Sequence, residues 1–219
     1  MVHGIDKVPL RLVPSPALLE ALLEESASRH QHLCPRQILG VRIGLAGLRT
    51  LGLVGSDFAP RFVNQEKRLL TIVETDGCGA DGIAIATDCY VGRRTLRVLD
   101  FGKVAATLID TSNGQAVRAC PTHSVRSLAI RHTPSDLSPW RSYLQAYQTM
   151  SDHELLTIER VQLTRSLAEI LSKPGLRVNC DECGEEVMNE REVWLDGKVL
   201  CRACAGDVYY RRVIDDKGD

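Results

Sequence analysis

Residues 28–47 read SRHQHLCPRQILGVRIGLAG, and the arrangement of the chain is worked out from them. His30, His32 and Cys34 fall within five residues, and Pro35 then opens an apolar run that carries Gly40, Gly44 and Gly47. Proline is well tolerated at the first helical position, so the run predicts a helix from Pro35 to Leu51 with Cys34 at its N-terminus. The partial positive charge at that end makes a thiolate more available, as ligand or as nucleophile. Imidazole and thiolate are the usual donors to zinc and related divalent metals, which marks His30, His32 and Cys34 as candidate ligands. Each glycine costs about 1 kcal/mol against alanine in a helix interior. Three of them, spaced by four and three residues, mark a face where another backbone or a ligand approaches closely. Ile38, Val41, Leu45 and Leu48 are expected to point inward, with Arg42 and Arg49 on another face.

Working outward, Ser15-Pro16 is an N-cap followed by a helix-opening proline, and Leu18, Leu19, Leu22 and Leu23 predict a helix to about Arg29. Met1 to Pro14, with His3, is expected to lie as an arm. On the other side, RLLTIVET (68–75) is a strand by its β-branched and apolar content. It runs into Asp76-Gly-Cys-Gly-Ala-Asp-Gly82, which holds Cys78 and Asp81 and lacks the glycine spacing of a phosphate-binding loop. A short helix is expected to begin in Gly82–Thr87, followed by strands at Thr95–Asp100, Val104–Asp110 and Gln115–Cys120. Phe101-Gly102-Lys103 and Asn113-Gly114 read as their turns, and Asn-Gly is among the strongest hairpin signals. The sum predicts an α+β core, an antiparallel sheet packed with helices. Ser135–Met150 reads as an amphipathic helix, with Trp140 a packing residue. The capping box Ser151/Glu154 then predicts a helix through Leu155, Ile158, Leu163, Leu167 and Leu171. Lys173-Pro174-Gly175 ends it, which divides the chain into a core over 1–173 and a small domain over 174–219.

That second domain contains CDECGEEVMNEREVWLDGKVLCRAC (180–204). Cys180 and Cys183, then Cys201 and Cys204, form two CxxC pairs with seventeen residues between them. Each pair presents two thiolates from a tight turn, and the interval suits a hairpin turning at Asp196-Gly197. Four thiolates leave no open position, so the expected zinc is structural and not catalytic. Too few residues are present to stabilise the domain by burial alone, so it depends on the metal. A short helix after Cys204, through Tyr209 and Tyr210, would complete a treble-clef-like finger.

At 219 residues with 44% hydrophobic composition the chain can build a real core. Neither an eighteen-residue apolar run nor an export signal is visible, so no membrane association and a cytoplasmic location with reduced thiols are expected. From Pro174 onward seven Lys and Arg face eleven Asp and Glu. An acidic tail suits a protein partner and not nucleic acid, whose phosphates call for clustered cations.

Two stretches carry a family resemblance. His30-Gln-His32-Leu-Cys34-Pro35 followed by Gly40-Val-Arg42, and Ile72-Val-Glu-Thr75-Asp76-Gly-Cys78-Gly-Ala-Asp81-Gly-Ile83, resemble the FmdE family, named for formylmethanofuran dehydrogenase. Asp100-Phe-Gly102-Lys103 and the appended finger add to the likeness, which covers roughly residues 15–130. Gln31 and Arg36 depart from it, standing where the family pattern favours glycine. The resemblance implies an α+β core, an intertwined homodimer, and a metal or substrate site using His32, Cys34 and Cys78. It also implies a link to molybdenum or tungsten enzymes of one-carbon metabolism.

Three functions follow as expectations. The first is a dimeric metal-binding accessory or carrier protein of a redox enzyme, with a second metal ion in a core pocket formed by His30, His32, Cys34 and Cys78. The second is an enzyme with Cys34 or Cys78 as nucleophile, His32 as general base and Asp81 as the orienting carboxylate. The third is a regulator or adaptor acting through the finger.

Overall fold

The computed structural model describes residues 14–55, 57, 58 and 60–211. The expected arm, His3 included, falls outside them except for Pro14. The structure divides into one compact unit ending at Thr164 and a second beginning at Arg165.

Ser15 Oγ accepts a hydrogen bond from the Leu18 backbone N–H, and Pro16 takes the first helical position, so α1 spans Pro16–His30. It buries Leu19, Leu22 and Leu23, the stripe its sequence predicts. Helix α2 spans Pro35–Thr50, and thirteen of its sixteen residues are buried. A helix that is apolar all round belongs inside, and α2 is the centre of the core. After it come β1 (Leu69–Val73), α3 (Cys78–Thr87), β2 (Leu96–Val98), β3 (Ala106–Asp110) and β4 (Ala116–Pro121). The first unit is completed by α4 (Val125–Arg131), α5 (Pro139–Thr149), α6 (Asp152–Leu155) and β5 (Leu156–Val161).

The five strands form one sheet in the order β2-β1-β3-β4-β5. Three of the four pairings are antiparallel, as expected, and the Asn113-Gly114 turn joins β3 to β4. The exception is β1 with β2, which run parallel with Ile72 opposite Arg97. The sequence reading made Phe101-Gly102-Lys103 a hairpin from β2 to β3, but β1 lies between those strands. The Glu74 carbonyl, at the end of β1, accepts hydrogen bonds from the N–H groups of both Phe101 and Lys103 at 3.0 Å, so this loop wraps the strand end. A parallel pair needs a crossover, and α3 supplies it.

The long helix expected from Ser151 to Leu171 is corrected as well. Its capping box is present, yet α6 is four residues long and the chain then extends as β5. Ile158 lies opposite Ala119 and Thr157 opposite Cys120. The β-branched residues of Leu-Thr-Ile-Glu-Arg-Val satisfy the free edge of β4, and tertiary pairing overrides the helical spacing of the leucines.

Arg42 is also not on an outward face. It is 0% exposed, and its Nη2 lies 2.6 Å from Asp152 Oδ1 while Arg49 Nη2 lies 2.6 Å from Asp152 Oδ2. Arg42 further donates to the carbonyls of Tyr147 at 2.9 Å and Met150 at 2.7 Å. Burial lowers the Arg42 pKa and Asp152 opposes that shift. The buried charges are therefore paired and fully hydrogen-bonded, and they tie α2 to the corner between α5 and α6.

The second unit holds α7 (Leu167–Leu171) and two hairpins, β6 (Arg177–Asn179) with β7 (Glu186–Met188) and β8 (Val193–Leu195) with β9 (Lys198–Leu200). Asp196 (φ 50) and Gly197 (φ 77) both adopt left-handed backbone, as a tight two-residue hairpin turn requires. Arg202–Gly206 forms turns, and among the described residues no helix follows Cys204.

Candidate functional site

Helices α2 and α3 cross with their backbones in contact. A Cβ on Gly40 would lie 2.2 Å from the Gly79 carbonyl oxygen, and one on Gly82 would lie 2.2 Å from that of Gln37. The glycines at 40 and 44 are thus a helix-crossing face, as their spacing implied. Because both crossings fall near the helix starts, the two N-termini are brought together. Cys34 is the N-cap residue of α2, and Cys78 is the first residue of α3.

The Cys34 end is fixed by Gln37, which sequence reading did not single out. Gln37 Oε1 accepts from the Cys34 N–H at 2.7 Å, and its Nε2 donates to Ser26 Oγ at 2.9 Å and the Ser26 carbonyl at 3.1 Å. A fully buried amide so pins the loop 31–34 to α1. The signal was legible as a Gln at the third helical position, the reciprocal half of a capping box.

Cys78 Sγ lies 3.2 Å from His30 Nε2, and His30 Nδ1 lies 3.2 Å from Asp81 Oδ2. Cys34 sits against Cys78: burial raises the Cys78 thiol pKa, and the neighbouring Cys34 raises it further, while Arg36 opposes the shift. The structure therefore brings His30, Cys34, Cys78 and Asp81 together. His32 stacks its ring 5.0 Å from that of His30, and among the described residues no hydrogen bond joins it to either thiol. The imidazole on Cys78 is that of His30, where the sequence reading had His32 as base. Cys89 is the core residue expected, 0% exposed and hydrogen-bonded by Asn64 and Thr71.

Both thiols open onto a cavity of about 530 Å³. Its walls include Leu39, Val104, Val125, Trp140, Tyr143 and Tyr147, with Arg36 and Arg126 among the lining side chains. Trp140 is 51% exposed, so it lines a cavity and is not the packing residue expected from the sequence. Burial pushes the Tyr147 hydroxyl up to about 12 and leaves it protonated at neutral pH.

In the second unit the ligand atoms of Cys180, Cys183, Cys201 and Cys204 all lie within 4.8 Å of one another. Among the described residues they are the one group of three or more His, Cys, Asp or Glu drawn so tightly together. Cys183 Sγ is 3.9 Å from Cys201 Sγ, and the Cys204 N–H donates to Cys201 Sγ at 3.4 Å. Backbone donors from Cys183 and Cys201 push Cys180 down to about 6. The donor set is that of a closed, structural zinc site.

A family model described as FmdE, molybdenum formylmethanofuran dehydrogenase operon, matches residues 29–174. The chain belongs to the FmdE family. A second model, the prokaryotic dksA/traR C4-type zinc finger, matches residues 174–210. This FmdE protein is 28% identical over 208 residues to an Archaeoglobus fulgidus protein named "Probable S-adenosyl-L-methionine-binding protein". The match takes in 87% of this chain and 54% of the relative, so the chain spans about half that protein's length. The crystal structure of an FmdE-like protein of tungsten formylmethanofuran dehydrogenase, from Syntrophus aciditrophicus, superposes with a TM-score of 0.60 at 19% identity. It covers 93% of this chain and 100% of its own, which shows a shared fold. Among the described residues no helix is long and apolar enough to cross a membrane.

Proposed function

We propose that this FmdE protein is a cytoplasmic, homodimeric metal-binding accessory or carrier protein for a molybdenum or tungsten redox enzyme acting on one-carbon units. In this reading the core holds a second metal ion through Cys34, Cys78 and His30, with His32 within reach. The observation that carries it is the convergence of two thiols and an imidazole from three separate elements, the end of α1 and the starts of α2 and α3. Two helix N-termini favour the thiolate forms a metal requires, and thiolate with imidazole suits zinc and similar soft or borderline ions. Asp81 on the far nitrogen of His30 fixes that ring's tautomer, the usual outer partner of a metal-bound histidine. The finger supplies an acidic surface for a protein partner.

Metal analysis tests the core site. Purified protein should carry more than the finger's single zinc, and Cys34→Ser or Cys78→Ser should each reduce the content to that one. Unchanged stoichiometry in both variants would overturn the core site while leaving the finger intact.

One observation favours a second reading. Cys78, His30 and Asp81 stand in line as nucleophile, base and orienting carboxylate would. Against it, burial raises the Cys78 pKa, which favours the thiol over the reactive thiolate. Iodoacetamide labelling at neutral pH separates the two, since slow labelling of Cys78 is expected of a ligand and fast, His30-dependent labelling of a nucleophile.

A further inference from the structure

The cavity beside Cys34 and Cys78 is built unevenly. Helix α5 turns Trp140, Tyr143 and Tyr147 toward it, at spacings of three and four residues that put all three on one helical face. The Tyr143 and Tyr147 rings are nearly parallel, 6° apart with centroids separated by 5.7 Å. The opposite wall is aliphatic, from Leu39, Val104, Pro121 and Val125.

The charged groups of the lining are Arg36 and Arg126, and no carboxylate is among them. Elsewhere in this unit guanidinium groups are matched with acids: Arg29 and Arg61 with Glu25, Arg42 and Arg49 with Asp152, Arg68 with Asp110, Arg93 with Asp88, and Arg118 with Glu74. Among the described residues, neither Arg36 nor Arg126 forms an ion pair. Arg36 lies on the first turn of α2 and Arg126 on the first turn of α4, so two different elements direct positive charge to one opening. The volume is that of a small-molecule site, within the ~300–1,000 Å³ typical of ligand pockets.

We infer that this cavity binds a flat aromatic or heteroaromatic anion, its ring against Trp140 and Tyr143 and its carboxylate or phosphate held by Arg36 and Arg126. The far end of such a ligand reaches Cys34 and Cys78. Aromatic walls favour a planar body over a flexible chain. Paired guanidiniums favour a carboxylate or phosphate over a neutral or cationic group, because the fork of N–H donors fits two anionic oxygens. The inference gives the ligand class of the site proposed above, yet it depends on the rings and guanidiniums and not on a bound metal.

Calorimetric titration of the whole protein with 2-naphthoate, and with 2-naphthylmethanol as its neutral counterpart, tests it. Naphthoate is expected to bind about tenfold or more tightly than the alcohol, and Arg36→Gln/Arg126→Gln to abolish that difference while leaving the alcohol unaffected. Trp140→Ala should weaken both ligands. Equal affinity for acid and alcohol, or a preference for the acid that survives loss of both arginines, overturns the inference. So does absence of naphthoate binding to wild-type protein that melts as a single folded species. Phosphate alone, run in parallel, should compete with naphthoate only at much higher concentration. Competition at matched concentration would mean that charge alone is recognised and would overturn the aromatic part. Cys34→Ser/Cys78→Ser is expected to keep naphthoate binding, so failure of the core metal and failure of the anion site are read separately.

Discussion

Gly40→Ala is the sharpest perturbation the fold offers, because the new methyl meets backbone and cannot be relieved by a rotamer change. Its Cβ would lie 2.2 Å from the Gly79 oxygen, against 3.4 Å or more for an ordinary contact, so α2 and α3 must separate locally by about 1.2 Å. Overpacking of this kind costs about 1–3 kcal/mol, and a clash against helix backbone belongs at the upper end. Alanine returns about 1 kcal/mol of helix propensity. The net is a loss of about 2 kcal/mol, or roughly 4–8 °C in Tm for a chain of this length. Urea and thermal unfolding followed by circular dichroism measure it. Gly47→Ala, which meets the movable Leu108 side chain at 2.7 Å, should cost less, and Gly92→Ala, with nothing within 4 Å, should be near neutral. A Gly40→Ala protein as stable as wild type would refute the reasoning, since the close crossing that joins Cys34 to Cys78 would then not exist.

Three further outcomes are expected. Asp152→Ala leaves Arg42 and Arg49 without their shared acid in a buried site, and unfolding by denaturant should show a loss of about 3–5 kcal/mol. Removing metal with a strong chelator, or substituting Cys183→Ser, should open residues 165–211 to protease while the first unit stays resistant, because a closed thiolate site is most of what holds so small a domain together. The Arg118 hydrogen bond holds the Glu74 carboxyl below its ordinary value of 4.5, and a depressed carboxyl stabilises the fold at pH above its unfolded value. That contribution is lost as pH falls below about 4.5 through the folded pKa, so Glu74→Gln should flatten the acid limb of a stability-pH profile without steepening it near neutrality.

The parts of this structure that rest on local chemistry were legible in its sequence. Ser15-Pro16 capped a helix, Asn113-Gly114 turned a hairpin, the two CxxC pairs met, and the glycines of α2 marked a close approach. The parts that rest on partners distant in the chain were not. Leu155, Ile158 and Leu163 fit helical spacing as well as they fit a strand, and only the open edge of β4 decides for β5. Arg42 reads as a surface charge until Asp152, over a hundred residues away, is folded against it. Trp140 reads as core until the far wall of its cavity is known. At the candidate site the convergence of the two thiol-bearing segments was anticipated. Which histidine touches Cys78 was not, because that depends on where α1 ends. Gln31 ends it in left-handed backbone (φ 66), a conformation glycine adopts more cheaply, which explains why the family pattern favours glycine there.

The single parallel pairing has a consequence of its own. In sheets built from strand-helix-strand units, small molecules collect beyond the carboxyl ends of the strands, where chain direction leaves room. Here β1 feeds α3 through Thr75–Gly77, and β2 returns alongside β1, so this otherwise antiparallel protein contains one such unit and keeps Cys78 at its mouth. The connecting tripeptide contributes no rung to the ladder. Relatives are thus free to vary its length and chemistry, and so to change what they hold, while the strands beneath keep their register.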